Sequence, residues 1–382
     1  MIVRAGILYA GTLDAPRRNV DIVIDGTRIA QVRNAAEGGS FERAAACVTP
    51  GLVNAHVHLE MSGEADTMRA AELSSNRRLL NAVANARKSI EAGVTCVRDV
   101  GGANAIDVRD AILEGRIAGP RMRAAGSVLC MTGGHGWFLG RQLDGPWDAR
   151  KAVREQLAAG ADCIKAIATG GVLTKGAVPG NAQLLPEELE ALVSEAHRHG
   201  LRVAAHAIGT QGIVNALRAG IDSVEHGHML DDEALELFKT SGAYLVPTLT
   251  APTCILEHLH DSGQPAFVLD KARVVNKAML VNIKRAHDAG VKIAGGSDAG
   301  TPFNFHENYA YEVELMHTLL GMTPQQALHA ATSTAAGLIG LHRGIVAPGE
   351  PADLVLLGKD MGDDVRALRN VDAVILDGRS VR

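Results

Sequence analysis

Hydrophobic and polar positions change rhythm twice along this chain. Near the N-terminus, apolar residues alternate with polar ones in short runs. Examples are Ile2-Val3-Arg4-Ala5-Gly6-Ile7-Leu8, Val20-Asp21-Ile22-Val23-Ile24 and Arg28-Ile29-Ala30-Gln31-Val32. A period of two marks strands with one buried face. Asp25-Gly26, between the last two runs, is a hairpin turn signal. The C-terminal stretch returns to this rhythm in Ala352-Asp353-Leu354-Val355-Leu356-Leu357 and Val371-Asp372-Ala373-Val374-Ile375-Leu376. The two ends predict one small β domain over residues 1–50 and 345–382, flanking a central domain over residues 51–344.

In the centre, short apolar runs alternate with amphipathic stretches. Strands are predicted at residues 51–56, 94–100, 122–131, 163–169, 202–208, 223–226, 244–249 and 292–297. Helices are predicted between them. Residues 76–92 carry apolar side chains at Leu79, Leu80, Val83, Ala86 and Ile90. Residues 186–199 open on Pro186-Glu187-Glu188, a favourable first helical turn, and residues 231–240 open on Asp231, a capping aspartate. Eight β/α repeats predict an α/β fold, a (β/α)8 TIM barrel. The small domain built from both termini is expected to be a β-sandwich.

Composition fits this plan. A chain of 382 residues accommodates a barrel of about 250 residues and a smaller domain. Aromatic residues are 3% of the chain, so Ala, Val, Leu and Ile must build the core. The net charge of −5, with no Lys/Arg block, argues against a nucleic-acid partner. Cys47, Cys96, Cys130, Cys163 and Cys254 are scattered, an odd set that reads as buried free thiols in a reducing compartment. No apolar run approaches the ~18 residues of a membrane span, and the N-terminus lacks a signal-peptide pattern. The expected location is cytoplasmic, away from membranes, and the expected assembly is a homo-oligomer.

Chemistry in such a barrel collects at the C-terminal strand ends. Strand one ends in His56 and His58, two residues apart and therefore on one face. Strand four carries Lys165, strand five ends in His206, strand six in Glu225-His226-Gly227-His228, and strand eight in Ser297-Asp298. Neutral imidazoles ligate zinc and similar ions. A carboxylate such as Asp298 ligates metal and accepts a proton. A lysine inside an apolar strand is costly unless paired or neutral. A neutral amine there reacts with carbon dioxide to give a carbamate, an anion suited to bridging two cations. His228 shares the parity of His226 and is the competing ligand on strand six. Two such metals activate a water and polarise a scissile carbonyl.

These motifs resemble the amidohydrolase superfamily, and within it the imidazolonepropionase-like and prolidase-like branch. The resemblance is carried by Pro50-Gly51-Leu52-Val53-Asn54-Ala55-His56-Val57-His58, Lys165-Ala166-Ile167-Ala168-Thr169-Gly170-Gly171, His206-Ala207, Glu225-His226-Gly227 and Gly296-Ser297-Asp298-Ala299-Gly300. It implies a binuclear centre of two divalent ions, Zn²⁺ by type. His56, His58 and Asp298 would hold the buried ion and His206 and His226 the more exposed one, with N6-carboxylated Lys165 between them. Asp298 would take a proton from the attacking water and pass it to the leaving amine. The implied substrate is a small-molecule amide, a dipeptide or an N-acyl amino acid. A cyclic amide, a deaminase substrate, a lactone or a carbamate is the competing class. Many prolidase-like relatives follow the strand-five histidine with Ala-Tyr; here the run is His206-Ala207-Ile208, with no hydroxyl.

Other positions complete the expected site. His135, after strand three, is expected to contact substrate or a developing oxyanion. Trp137, Gly170, Gly171, His228 and His306 are expected substrate contacts. Arg98-Asp99 reads as a structural ion pair. His197, His199, His258, His260, His287, His317, His329 and His342 lie on helical or loop stretches and read as solvated or capping residues.

Overall fold

The computed structural model describes residues 1–67, 72–258 and 263–382. His260 lies outside the described residues.

The N-terminal alternation forms β1 (Ile2–Leu8), β2 (Arg17–Asp25), β3 (Arg28–Asn34) and β4 (Arg43–Pro50). The β2–β3 hairpin turns at Gly26, whose φ of 57° suits a residue without a Cβ. Chain order continues into the barrel with β5 (Leu52–Val57), β6 (Val94–Asp99), β7 (Arg121–Ala124), β8 (Val128–Met131) and β9 (Gly140–Leu143). It goes on with β10 (Cys163–Ile167), β11 (Arg202–Ala207), β12 (Ser223–His226) and β13 (Tyr244–Val246). The last strands are β14 (Leu354–Leu357), β15 (Val371–Leu376) and β16 (Arg379–Ser380).

The architecture is α/β: a (β/α)8 TIM barrel with a small β-sandwich from both termini, whose strands bond into one sheet ordered β16-β15-β14-β4-β1-β2-β3. The period of two explains how this sheet attaches. Leu354 and Leu356 point into a cluster with Val3, Ala5, Val20 and Ile22. Their neighbours Val355 and Leu357 point the other way, into the large core that also holds Leu52, Val94 and Ile164. The sheet therefore buries both faces, one of them against the barrel.

The barrel strands β5 to β8 and β10 to β13 are parallel and largely buried, as expected where helices cover a sheet, while β9 pairs beside β8 at the sheet edge and is partly exposed. Two predicted strands depart from regularity. The run 122–131 is two strands, β7 and β8, interrupted at residues 125–127. The cause is Gln156, on the helix Pro146–Ala158, whose Oε1 accepts from the backbone N–H of Ser127 at 3.0 Å. Gly126, at φ 67°, makes the bend. The run 292–297 forms one isolated bridge, Ile293 with Leu245, and just beyond it Ala299 bridges to Val57. Here the Asn54 side chain accepts from Ser297 N, displacing a ladder bond. The segment still joins β13 to β5, through Ala294 N to Leu245 O, Ala55 N to Gly295 O and Asp298 N to His56 O.

Helices lie where the periodicity places them, at Ser75–Glu91, Pro186–Arg198 and Asp232–Ser241. The Asp231 carboxylate caps the last of these by accepting from Ala234 N. All five cysteines are free and buried.

Candidate active site

The C-terminal ends of the barrel strands converge on one cleft of about 780 Å³. It is lined by His56 and His58 from β5, Lys165 from β10, His206 from β11, His226 from β12 and Asp298 from the closing segment. The six side chains that sequence reasoning singled out as ligands are thus brought together, and His135 and His228 join them in the lining. His56 Nε2 and His58 Nε2 both lie 3.3 Å from the same Asp298 oxygen, Oδ1. His56, His226 and Asp298 offer ligand atoms within 4.8 Å of one another. The His206 and His226 rings are 4.5 Å apart between centroids.

The backbone bends to place these groups. His226 has φ 73° and Asp298 has φ 60°, both in the left-handed region that non-glycine residues rarely occupy. Such strain persists where surrounding structure over-determines it, commonly at functional sites.

Each imidazole is held through one ring nitrogen, leaving the other for the cleft. His56 Nδ1 meets Glu225 Oε2 at 2.7 Å, His58 Nδ1 meets the Gly101 carbonyl at 2.9 Å, and His226 Nδ1 meets Thr248 Oγ1 at 2.7 Å. His206 meets the Gly170 carbonyl through Nε2 at 3.1 Å. A partner on one nitrogen sets the tautomer and frees the lone pair of the other, the arrangement that metal-ligating histidines use. Burial works to lower His58, but the facing Asp298 carboxylate overcomes it and raises the imidazole above its usual range.

The ionisation states of Asp298, His206 and His226 suit ligation. Burial works to raise the Asp298 carboxyl, but His56 and His58 overcome it and hold the group well below the usual carboxylate range. Burial pushes His206 and His226 well below the usual imidazole range, so both are neutral and competent as ligands. Burial also lowers Lys165, to about 8. Its Nζ is fully enclosed and has no hydrogen-bond partner among the described residues. A buried amine so placed is costly as an ammonium and well suited to become a neutral nucleophile. These donors therefore fit a metal centre. They are buried, tautomerically fixed and convergent, and an orphaned amine lies among them.

His135 is set differently. Its Nδ1 lies 2.8 Å from Thr174 Oγ1, which also accepts from Gly136 N at 3.3 Å. The Thr174 hydroxyl, which can both donate and accept, fixes the orientation of the His135 ring. Burial lowers this imidazole to about 3, so it is a neutral donor. His228, lowered by burial to about 4, donates from Nε2 to the Pro247 carbonyl at 2.8 Å.

Four expected substrate contacts fall outside the lining. Trp137 is 42% exposed, while its neighbours Phe138 and Leu139 turn inward. Gly170 serves His206 through its carbonyl. Gly171 packs on His135, where a Cβ would come within 2.3 Å of Nε2. His306 is buried but donates from Nε2 to the Met61 carbonyl. Among the remaining described histidines, His197 meets Asp222, His199 meets Glu195, and His258, His317 and His329 meet backbone carbonyls.

Arg98 corrects the sequence reading. It pairs with Glu225 at 2.8 Å rather than with Asp99, and it also donates to Ser223 Oγ and the Ala55 carbonyl. Asp99 instead accepts from Leu59 N and Gly101 N. Glu225, which sequence reasoning gave no role, joins Arg98 to His56 across the barrel interior. A buried arginine in an apolar strand was the available signal, because such a charge requires a partner.

Known proteins resemble this chain over nearly its whole length. The amidohydrolase family matches residues 47–381. An ochratoxinase of Aspergillus niger is 30% identical, covering 98% of this chain and 84% of that protein. The crystal structure of a Xaa-Pro dipeptidase with methionine bound in its active site superposes with TM-score 0.92 at 34% identity, covering 100% of this chain and 99% of that one. A prolidase complexed with N-methylphosphonate-L-proline superposes with TM-score 0.91 at 28% identity, covering 100% of both chains. The chain belongs to the amidohydrolase family and is a hydrolase acting on carbon–nitrogen bonds.

Proposed function

We propose that this protein is a metal-dependent hydrolase of the amide bond in a dipeptide or N-acyl amino acid. The observation that carries the reading is the convergence of His56, His58, Lys165, His206, His226 and Asp298 in one cleft, with the Lys165 amine buried and unpartnered. In this reading His56, His58 and Asp298 would hold one divalent ion and His206 and His226 a second, and Lys165, as a carbamate, would supply a further anionic ligand. The imidazole-rich donor set favours zinc. When bound, the ions supply Lewis acidity that polarises the scissile carbonyl and acidifies the attacking water.

The chain's own groups supply the rest. Asp298, kept ionised by its histidine neighbours, takes the proton that the water loses as its oxygen adds to the carbonyl carbon. It returns that proton to the amide nitrogen as the C–N bond breaks, so the products are a carboxylic acid and an amine. Neutral His135, in the tautomer that carries its proton on Nε2, donates to the carbonyl oxygen as negative charge develops there. Arg98 and Glu225 keep His56 in the tautomer that directs Nε2 into the cleft. The relatives' names support the amide: one is an ochratoxinase, one a Xaa-Pro dipeptidase and one a prolidase.

Incubating purified protein with a panel of dipeptides and N-acyl amino acids tests the reading. We expect release of free amine from members of the panel. Release from none of them, by protein carrying its full metal complement, overturns it.

A further inference from the structure

The cleft has two chemically different halves. The strand ends bring the histidines, Lys165 and Asp298 to one side. The remainder is apolar, formed by Val172, Ile208, Ile255 and Val275 together with Phe138 and Leu139. Val172, Ile208, Ile255 and Val275 belong to one buried apolar cluster that includes Val268 and Ala272. Four separate segments build it: the loop after β10, the residue after β11, the helix Thr250–Glu257 and the long helix Ala266–Asp288. Among the described residues, Lys165 and Asp298 are the only lysine, arginine or carboxylate side chains in the lining, and both lie in the polar half. Lys271, one helical turn before Val275, is outside the lining. Its ammonium donates to the Thr174 carbonyl at 2.7 Å.

We infer that this enzyme selects amides whose side chain beyond the scissile bond is apolar and uncharged, of the leucine, methionine or phenylalanine kind, and rejects basic and acidic ones. The inference rests on the reading of this cleft as the active site of an amide hydrolase. A charged side chain placed against Val172, Ile208, Ile255 and Val275 would lose its hydration and meet no opposite charge among the described lining residues, and burial of an unpaired ion is strongly unfavourable. An apolar side chain gains from the same burial, in proportion to the area it hides. Ile208 matters most directly, because it follows the strand-five His206 by two residues and presents a branched aliphatic surface with no hydroxyl.

The experiment compares kcat/KM for Gly-X and N-acetyl-X with X as Leu, Met, Phe, Lys, Arg and Glu. In parallel, calorimetry measures binding of non-cleavable phosphinate analogues of Gly-Leu, Gly-Lys and Gly-Glu. We expect the apolar series to exceed the charged series by about 100-fold in both measurements. A preference below about tenfold, or a preference for Lys, Arg or Glu, overturns the inference. If no amide in the set is cleaved, the proposed reaction fails, and the phosphinate series still decides the selectivity of the cleft. Val275→Asp, with Ile255→Asp as an independent second variant, should move the Lys-to-Leu ratio at least tenfold towards Lys. An unchanged ratio in a folded variant of either kind counts against the apolar wall as its source.

Discussion

Lys165 sits in the middle of β10, between Ile164 and Ala166, with its amine enclosed and unpartnered. Removing it should remove the anion that offsets two cations. Lys165→Ala is therefore expected to lose most bound metal by elemental analysis, and short carboxylic acids should restore part of it. Full metal content without such acids would contradict the carbamate reading. Asp298→Asn should retain much of its metal and lose about 10²–10⁴-fold in kcat, the range associated with positioned proton transfer. Steady-state rates like those of the unaltered enzyme would remove Asp298 from that role. Glu225 acts through His56, so Glu225→Gln should weaken metal binding by roughly 10–100-fold, as outer-sphere changes do, while Glu225→Asp restores part of it. Competition with a chelating dye reads that affinity, and an unchanged value would make Glu225 merely structural. His56 and His58 were legible in sequence because two residues of equal parity on a strand share a face. Arg98 and Glu225 were not, because they lie 127 residues apart and meet only across the closed barrel.

Elements place these groups, and small local departures from regular structure are where sequence reading stopped. The alternation and the helix caps gave the repeat order, since periodicity and capping are local. The break between β7 and β8 arises from a side chain on a helix that follows in sequence, Gln156, which no local pattern records. The closing segment likewise yields a ladder position to Asn54, far away in the chain. The turn after β10 has its own requirement. A Cβ on Gly170 would lie 2.2 Å from the Val178 carbonyl oxygen, and one on Gly171 would lie 2.3 Å from His135 Nε2. Gly170→Ala meets backbone and is expected to destabilise the fold by about 1–3 kcal/mol, the usual cost of overpacking. Gly171→Ala meets an imidazole, and it should lower kcat more than it lowers the melting temperature. Thermal denaturation and kinetics on both variants separate the two cases; equal effects on stability and turnover would argue against a catalytic position for His135.

At the scale of the whole molecule, both termini are bound into the barrel. We propose a division into residues 1–50 with 345–382 and residues 51–344. The structure also shows how far the two parts share a core: Ile7, Cys47, Val355 and Val374 pack with barrel residues. Removing residues 345–382 would strip β14 from β4 and expose that apolar face. Truncation is expected to give an unfolded or aggregated chain by near-UV circular dichroism and gel filtration, and a folded, active barrel would contradict the interlocked core. The other expectation at this scale concerns the membrane: no helix among the described residues is long and apolar enough to cross one. The central claim is that the converged side chains hold metal and that hydrolysis depends on it. The most direct measurement is metal content by elemental analysis alongside amide hydrolysis, before chelator treatment, after it and after readdition of zinc. The account predicts nearly two divalent ions per chain, loss of turnover with the metal and recovery on its return. Full turnover by metal-free protein would contradict it.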